Sequence, residues 1–268
     1  MSDNTPSPRN WFDQGGLAYA RFRPEYPDSL AAFLASNATD HSLAIDVGCG
    51  NGQLTQLLAP YFEQLIGLDP SADQIANAVA HERIRYRCAP AEKIPAADSS
   101  AGLITAAQAA HWFDLPAFYR EVRRIARPGA LLALISYGVL KLEPALDERF
   151  QHFYREEIGP YWPPERKLVD TGYADIDFPF EELTAPPLAI GLEWELPRFL
   201  GYLQTWSAVR NAREAGKASL LSDFAQDLAD AWGDPGRKRP ISWPINMRLG
   251  KIQLRNDSSE LVDRFTTP

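Results

Sequence analysis

Residues 43–71 read LAIDVGCGNGQLTQLLAPYFEQLIGLDPS, and few folds accommodate such a stretch. Residues 43–47 form a short apolar run of the kind that becomes a strand buried on both faces. Residues 53–61 carry apolar side chains at helical spacing, and residues 65–69 return to a second apolar run. Strand, helix and parallel strand make a βαβ unit, whose ligand crevice lies beyond the carboxyl ends of the strands. Glycine at 48, 50 and 52 keeps the first turn clear of side chains where a ligand must approach the backbone. Asp69 ends the second strand, 17 residues after Gly52, placed to hold ribose hydroxyls. The unit is expected to bind a cofactor that carries a nucleoside.

Charge and spacing indicate which one. A dinucleotide fingerprint is G-x-G-x-x-G, with its pyrophosphate on a helix N-terminus. Here the glycines run G-x-G-x-G, and an acid, Asp46, precedes the first of them. A carboxylate beside the turn repels a pyrophosphate and suits a cationic ligand. S-adenosyl-L-methionine has that character: a sulfonium, an ammonium group and no phosphate. The D-x-G-x-G-x-G pattern, followed by an acid at the end of the next strand, resembles class I S-adenosylmethionine-dependent methyltransferases. Two other readings compete: an NAD-linked dehydrogenase, disfavoured by the spacing and by Asp46, and a glycine turn that merely packs a helix on a strand.

The chain has 268 residues, room for one large domain or one domain with a sizeable appendage. Hydrophobic residues make up 45% and charged residues 23%, the balance of a globular protein. No run is long and apolar enough to cross a bilayer, and the N-terminus lacks a basic start followed by an apolar stretch. Only Cys49 and Cys88 occur, so no disulfide framework is implied and a reducing cytoplasm is expected. Cys49, inside the glycine turn, reads as a packing choice rather than a nucleophile. The net charge of −8 opposes a polyanion, so neither nucleic acid nor membrane is expected as a partner; the Arg237-Lys238-Arg239 cluster is small and sits in a turn.

Alternating apolar runs and helical patterns continue through residue 136, with strands expected at 83–88, 101–107 and 130–136 and helices at 71–80 and 115–126. The expectation is an α/β fold: a doubly wound, mostly parallel, seven-stranded sheet of Rossmann-like methyltransferase type with a helical lid insertion. Residues 1–10 read as a disordered leader and 11–140 as the cofactor-binding core. Residues 141–238 read as a helical, aromatic lid and substrate-pocket region that includes an edge strand near Pro186-Pro187. A single helix is expected over 196–212. Residues 239–268 read as C-terminal strands and tail, with an antiparallel pair within 241–254 completing the sheet.

The chain is similar to the methyltransferase family that includes trans-aconitate methyltransferases. The similarity rests on YARFRPEYP at 19–27, on 46–52, on Asp69-Pro70-Ser71, on AEKIP at 91–95, on AHWFD at 110–114 and on YLQTWS at 202–207. That resemblance implies backbone contact from Gly48, Cys49 and Gly50 to the methionyl part of the cofactor, with Asp46 behind them, and Asp69 on both ribose hydroxyls. It further implies Pro70 or Ser71 against the adenine, Ala91 and Glu92 at its exocyclic amine, and Ala107 or Gln108 near the methionyl end. Tyr19 and Arg23 would close over the amino-acid end. Relatives commonly carry Asp where this chain has Gly102, a position that is normally structural.

Methyl transfer is a displacement at carbon, and the protein's work is to align the reactants and exclude water. A carboxylate acceptor needs no base, whereas a phenol, thiol, amine or carbon acid benefits from one. His111, just past the fourth strand, is the candidate catalytic base or substrate contact, set against an ordinary hydrogen-bonded histidine at a helix start. Trp112, Tyr202 and Trp206 are candidate walls of the acceptor pocket, the last two four residues apart on one helix face. The expected activity is methyl transfer to a small-molecule acceptor, a carboxylate or another O, N, S or C nucleophile. A non-catalytic S-adenosylmethionine-binding protein is the alternative.

Overall fold

The computed structural model describes residues 24–253; Tyr19, Arg23 and the expected leader lie outside them. Helix α1 (Asp28–Asn37) leads into β1 (Leu43–Val47), α2 (Gln53–Leu58), β2 (Gln64–Asp69), α3 (Ala72–Ala76) and β3 (Ile84–Cys88). Then come β4 (Ala101–Ala107), α4 (Leu115–Ile125) and β5 (Ala126–Tyr137). Helix α5 (Pro144–His152) continues through a π-helical turn (Phe153–Glu157) to α6 (Arg166–Asp170) and the edge strands β6 (Glu181–Leu183) and β7 (Leu188–Trp194). Helices α7 (Leu196–Gln204), α8 (Ser207–Glu214) and α9 (Ser219–Trp232) precede the last strand, β8 (Arg239–Ile252).

The sheet order is β3-β2-β1-β4-β5-β8-β6, with β7 also on β8. Strands β1 to β5 are parallel and β8 runs antiparallel to β5. Strand order reverses between β1 and β4, and such a switch point opens a crevice at the carboxyl ends of those two strands. Both are apolar apart from Asp46 and Thr105, because helices cover both faces, and Ala44 to Val47 and Ala101 to Ala106 are buried. One core layer packs α1, α2 and the C-terminal helices on one face; the other packs α4 and residues 169–180 on the opposite face.

Three elements differ from the sequence expectation. The sheet has eight strands rather than seven, because its last position is filled by two short strands laid end to end on β8. Leu183 faces Leu249 and Leu188 faces Ile245, with Pro186-Pro187 in the gap where no ladder donor is needed. The expected C-terminal pair is one strand. Pro244 does not break it: its carbonyl accepts from Gly138 N–H at 2.9 Å, beyond the end of β5, and its missing N–H falls on that same side. The expected helix over 196–212 is two helices parted at Thr205-Trp206. Among the described residues no helix is long and apolar enough to cross a membrane.

Candidate active site

The glycine turn is folded over the end of β2. Gly48 and Cys49 N–H both donate to the Leu68 carbonyl, at 2.7 and 2.8 Å. Gly48 has φ +71°, and a Cβ there would collide with that of Ala109. Gly52, φ +91°, caps α2 and has no room for a side chain beside the Tyr86 ring. At Gly48 and Gly52 side chains are thus excluded by handedness and by close packing together.

Asp69 ties the turn to the next helix. Its Oδ2 accepts from Gly50 N–H at 2.9 Å and its Oδ1 from Ser71 N–H at 2.8 Å. A carboxylate offers about four lone-pair positions, so two remain for a ligand's hydroxyls. Burial raises its pKa, opposed by those two backbone donors. Ser71 Oγ caps α3 by accepting from Gln74 N–H.

Asp46 is clamped by two hydroxyls: Thr55 donates at 2.6 Å and Thr105, 59 residues away in sequence, at 2.8 Å. Burial pushes its pKa up to about 6, with the nearby Asp69 charge adding to the rise. Cys49's thiol is pushed up by burial and by both carboxylates, so it is not a nucleophile at neutral pH.

These groups line a cavity of about 120 Å³ that opens to solvent. Of the sequence candidates, Asp46, Gly48, Cys49, Gly50, Asp69, Pro70, Ala107, Gln108 and Trp112 lie on its wall. Tyr26, Gln74, Ala109 and Tyr137 join them without having been singled out, as does Phe113 beside Trp112. Tyr137 was within reach of a simple rule, since it ends β5 beside the crevice. Gln108 adopts φ +55°, held by its N–H on Ile135 O and its Nε2 on Tyr137 O. Such a conformation costs about 1–3 kcal/mol and clusters at functional sites.

Ser71, Ala91, Glu92, His111, Tyr202 and Trp206 are not on that wall. Ala91 is buried in the core, and Glu92 Oε1 accepts from Asp114 N–H at 2.9 Å. His111 Nδ1 pairs with the Tyr173 hydroxyl at 2.9 Å. Burial, with the Arg166 charge, pushes its pKa down to about 3. Tyr173 sits at φ +66° behind Gly172, a strained backbone that fixes its ring beside His111. Tyr202 and Trp206 are buried, packed against the rings of Trp243, Tyr154 and Trp162.

The described cavity wall carries two carboxylates and no lysine or arginine. Such a lining favours a cationic cofactor and opposes a pyrophosphate. The residues present therefore fit S-adenosylmethionine: Asp69 for ribose hydroxyls, the bare turn at 48–50 for close backbone approach, and Asp46 beneath it for positive charge. When bound, that cofactor supplies a methyl group made electrophilic by positive sulfur. A cation in the cavity favours ionised Asp46, so affinity for S-adenosylmethionine should rise with pH through about 6 and level off above it. Titrations from pH 5 to 8 should show this slope. Asp46→Asn, which keeps a partner for each threonine hydroxyl, should remove it; a slope unchanged in the variant would assign the titration to another group.

Known proteins agree with the chemistry. Residues 45–134 match the methyltransferase domain family. A Dictyostelium discoideum protein named as a methyltransferase is 37% identical over 262 residues, covering 94% of this chain and 99% of that one. A Saccharomyces cerevisiae protein named as an S-adenosylmethionine-dependent methyltransferase is 34% identical over 129 residues, 44% of each chain. The solved structure of a protein described as a type II methyltransferase, from Anaeromyxobacter dehalogenans, superposes with a TM-score of 0.82 at 44% identity, covering 87% of this chain and 99% of that one. With the switch-point crevice, the glycine turn and the two acids in place, the chain belongs to the class I S-adenosylmethionine-dependent methyltransferases.

Proposed function

We propose that this methyltransferase acts on a small-molecule acceptor whose nucleophile needs no general base, a carboxylate above all. The observation that carries this reading is the placement of His111, which lies off the cavity wall and is held by the Tyr173 hydroxyl. An imidazole with a pKa near 3 is a poor proton acceptor, and its Nδ1 is already engaged by Tyr173. Among the described residues the cavity wall holds no histidine and no lysine. A carboxylate is ionised at neutral pH and can attack as it stands. The resemblance to trans-aconitate methyltransferases points the same way, as does the net charge of −8, which disfavours nucleic acid as acceptor. In this reading Trp112, Phe113 and Tyr137 shape the space and exclude water, and His111 with Tyr173 stiffens the wall behind Trp112.

Incubation with S-adenosylmethionine labelled in the methyl group, across a panel of organic acids, phenols and amines, tests the reading. A labelled product that releases methanol in base is expected. A base-stable product would overturn the carboxylate assignment, and no labelled product in the presence of tight cofactor binding would favour a binding protein without turnover. His111→Ala should lower turnover by less than about tenfold, because loss of a true general base costs about 10²–10⁴-fold. A loss in that larger range, with cofactor affinity intact, would restore His111 as the base.

A further inference from the structure

Arg166 uses only one edge of its guanidinium. Its Nε donates to Tyr154 Oη and to Asp170 Oδ1, both at 3.0 Å, while Nη1 and Nη2 donate to no group among the described residues. The side chain is 20% exposed, so that free edge is neither sealed in the core nor out in bulk water. The guanidinium lies 4.7 Å over the Trp162 ring and 5.8 Å over that of Tyr154. Beside it, Trp162 Nε1 is buried with no acceptor. Asp170 does not fill the need, since the oxygen facing Arg166 Nε also takes the Tyr154 hydroxyl at 2.7 Å. Leaving a buried donor unpaired costs about 1–3 kcal/mol. Trp162 Nε1 is such a donor, and with the solvent-reaching Nη edge of Arg166 stacked over its ring it marks a place where an acceptor oxygen belongs.

That place adjoins the active site. Helix α6, which begins at Arg166, packs on the turn Ala110–Trp112. His111 of that turn bonds Tyr173, and its ring stands 4.8 Å from Trp112, a cavity wall residue. Arg166 is near enough that its charge helps to keep His111 neutral. The rings around it, Tyr154, Trp162 and Trp206, form a continuous aromatic surface with centroids 5.2–5.7 Å apart.

We propose that Arg166, with Trp162, is the specificity determinant of the acceptor site, and that it receives a carboxylate carried by an amphipathic acceptor with an aryl or alkyl body. This rests on the small-molecule reading above and names the acceptor's recognition group. A guanidinium suits a carboxylate because its planar N–H donors match the two oxygens. Cationic recognition here is separate from the acidic cofactor cavity, so the two ends of the site carry opposite charge.

Calorimetry on protein loaded with S-adenosylhomocysteine tests the proposal, with phenylacetate, 3-phenylpropionate and decanoate set against their uncharged amides. At least one acid should bind, at least about tenfold more tightly than its amide. Arg166→Gln should lower acid affinity by about tenfold or more, without changing amide or S-adenosylhomocysteine affinity, and Arg166→Lys should retain part of it. Equal binding of acid and amide, full acid affinity in Arg166→Gln, or no binding by any acid of the panel would overturn the proposal. Arg166-dependent binding combined with a base-stable methylated product would uphold the anion site while removing carboxyl O-methylation, so the two readings fail separately.

Discussion

Asp69→Ala should weaken binding of S-adenosylhomocysteine by about 2–4 kcal/mol, roughly 30- to 1,000-fold. The effect has two parts. Charge-assisted hydrogen bonds to ligand hydroxyls are lost, each worth about 1.5–3 kcal/mol. The same carboxylate also holds Gly50 and Ser71 N–H, so its removal frees the turn that the ligand must lie against. Asp69→Asn separates the parts: an amide has one acceptor oxygen for two backbone donors and turns its own N–H₂ toward the other. It should therefore fall between wild type and alanine. Calorimetric titration of the three proteins checks the order. Affinity unchanged in Asp69→Ala would mean that the ribose site lies elsewhere.

Gly102→Ala should lower stability by about 1–3 kcal/mol, read as a fall in melting temperature of about 2–10 °C. Gly102 lies within β4, and a Cβ there would collide with the Asp40 carbonyl oxygen and come within 2.9 Å of the Asp40 side chain. The segment that brings Asp40 there is pinned. Asp40 Oδ2 receives Arg127 Nη1 at 2.5 Å, and Oδ1 receives the Ser42 N–H and hydroxyl. These bonds, the Ser42 hydroxyl first, hold its carboxyl below the usual range. The neighbouring backbone is also committed, since His41 and Ser42 carbonyls accept from Glu63 and Gln64 N–H. Neither wall can retreat, and this explains why glycine stands where the family resemblance expects aspartate. Gly102→Asp should be worse, because it adds a carboxylate facing a carbonyl. An alanine variant as stable as wild type would show that the segment moves and that the departure has another cause.

What the sequence made legible is what short-range chemistry encodes. The runs 43–47 and 101–107 became β1 and β4 with those limits, because strands buried on both faces need a nearly continuous apolar string. Glycine turn and strand-end acid lie within one βαβ unit, so their convergence could be read from spacing. The misreadings involve context. Pro244 signals a break unless its missing N–H is known to fall past the end of the neighbouring strand. Residues 196–212 keep an apolar period through Thr205-Trp206, where the chain nonetheless turns so that Trp206 packs 5.2 Å from Trp162.

Within the site, pairs far apart in sequence were hidden. Thr105 reaches Asp46 across 59 residues and Tyr173 reaches His111 across 62, and neither partner advertises itself locally. Glu92 illustrates the converse, a motif residue whose carboxylate serves the backbone of Asp114 instead of facing the cavity. Arg166 is likewise anonymous in a charged segment until Tyr154, Trp162 and Asp170 gather around it.

The most direct test of the account is calorimetric titration of the purified protein with S-adenosylhomocysteine, with NAD run alongside. The acidic, glycine-lined cavity predicts micromolar or tighter binding of S-adenosylhomocysteine and no heat with NAD. Binding of NAD without S-adenosylhomocysteine would contradict it, because a site built around Asp46 and Asp69 should repel a pyrophosphate.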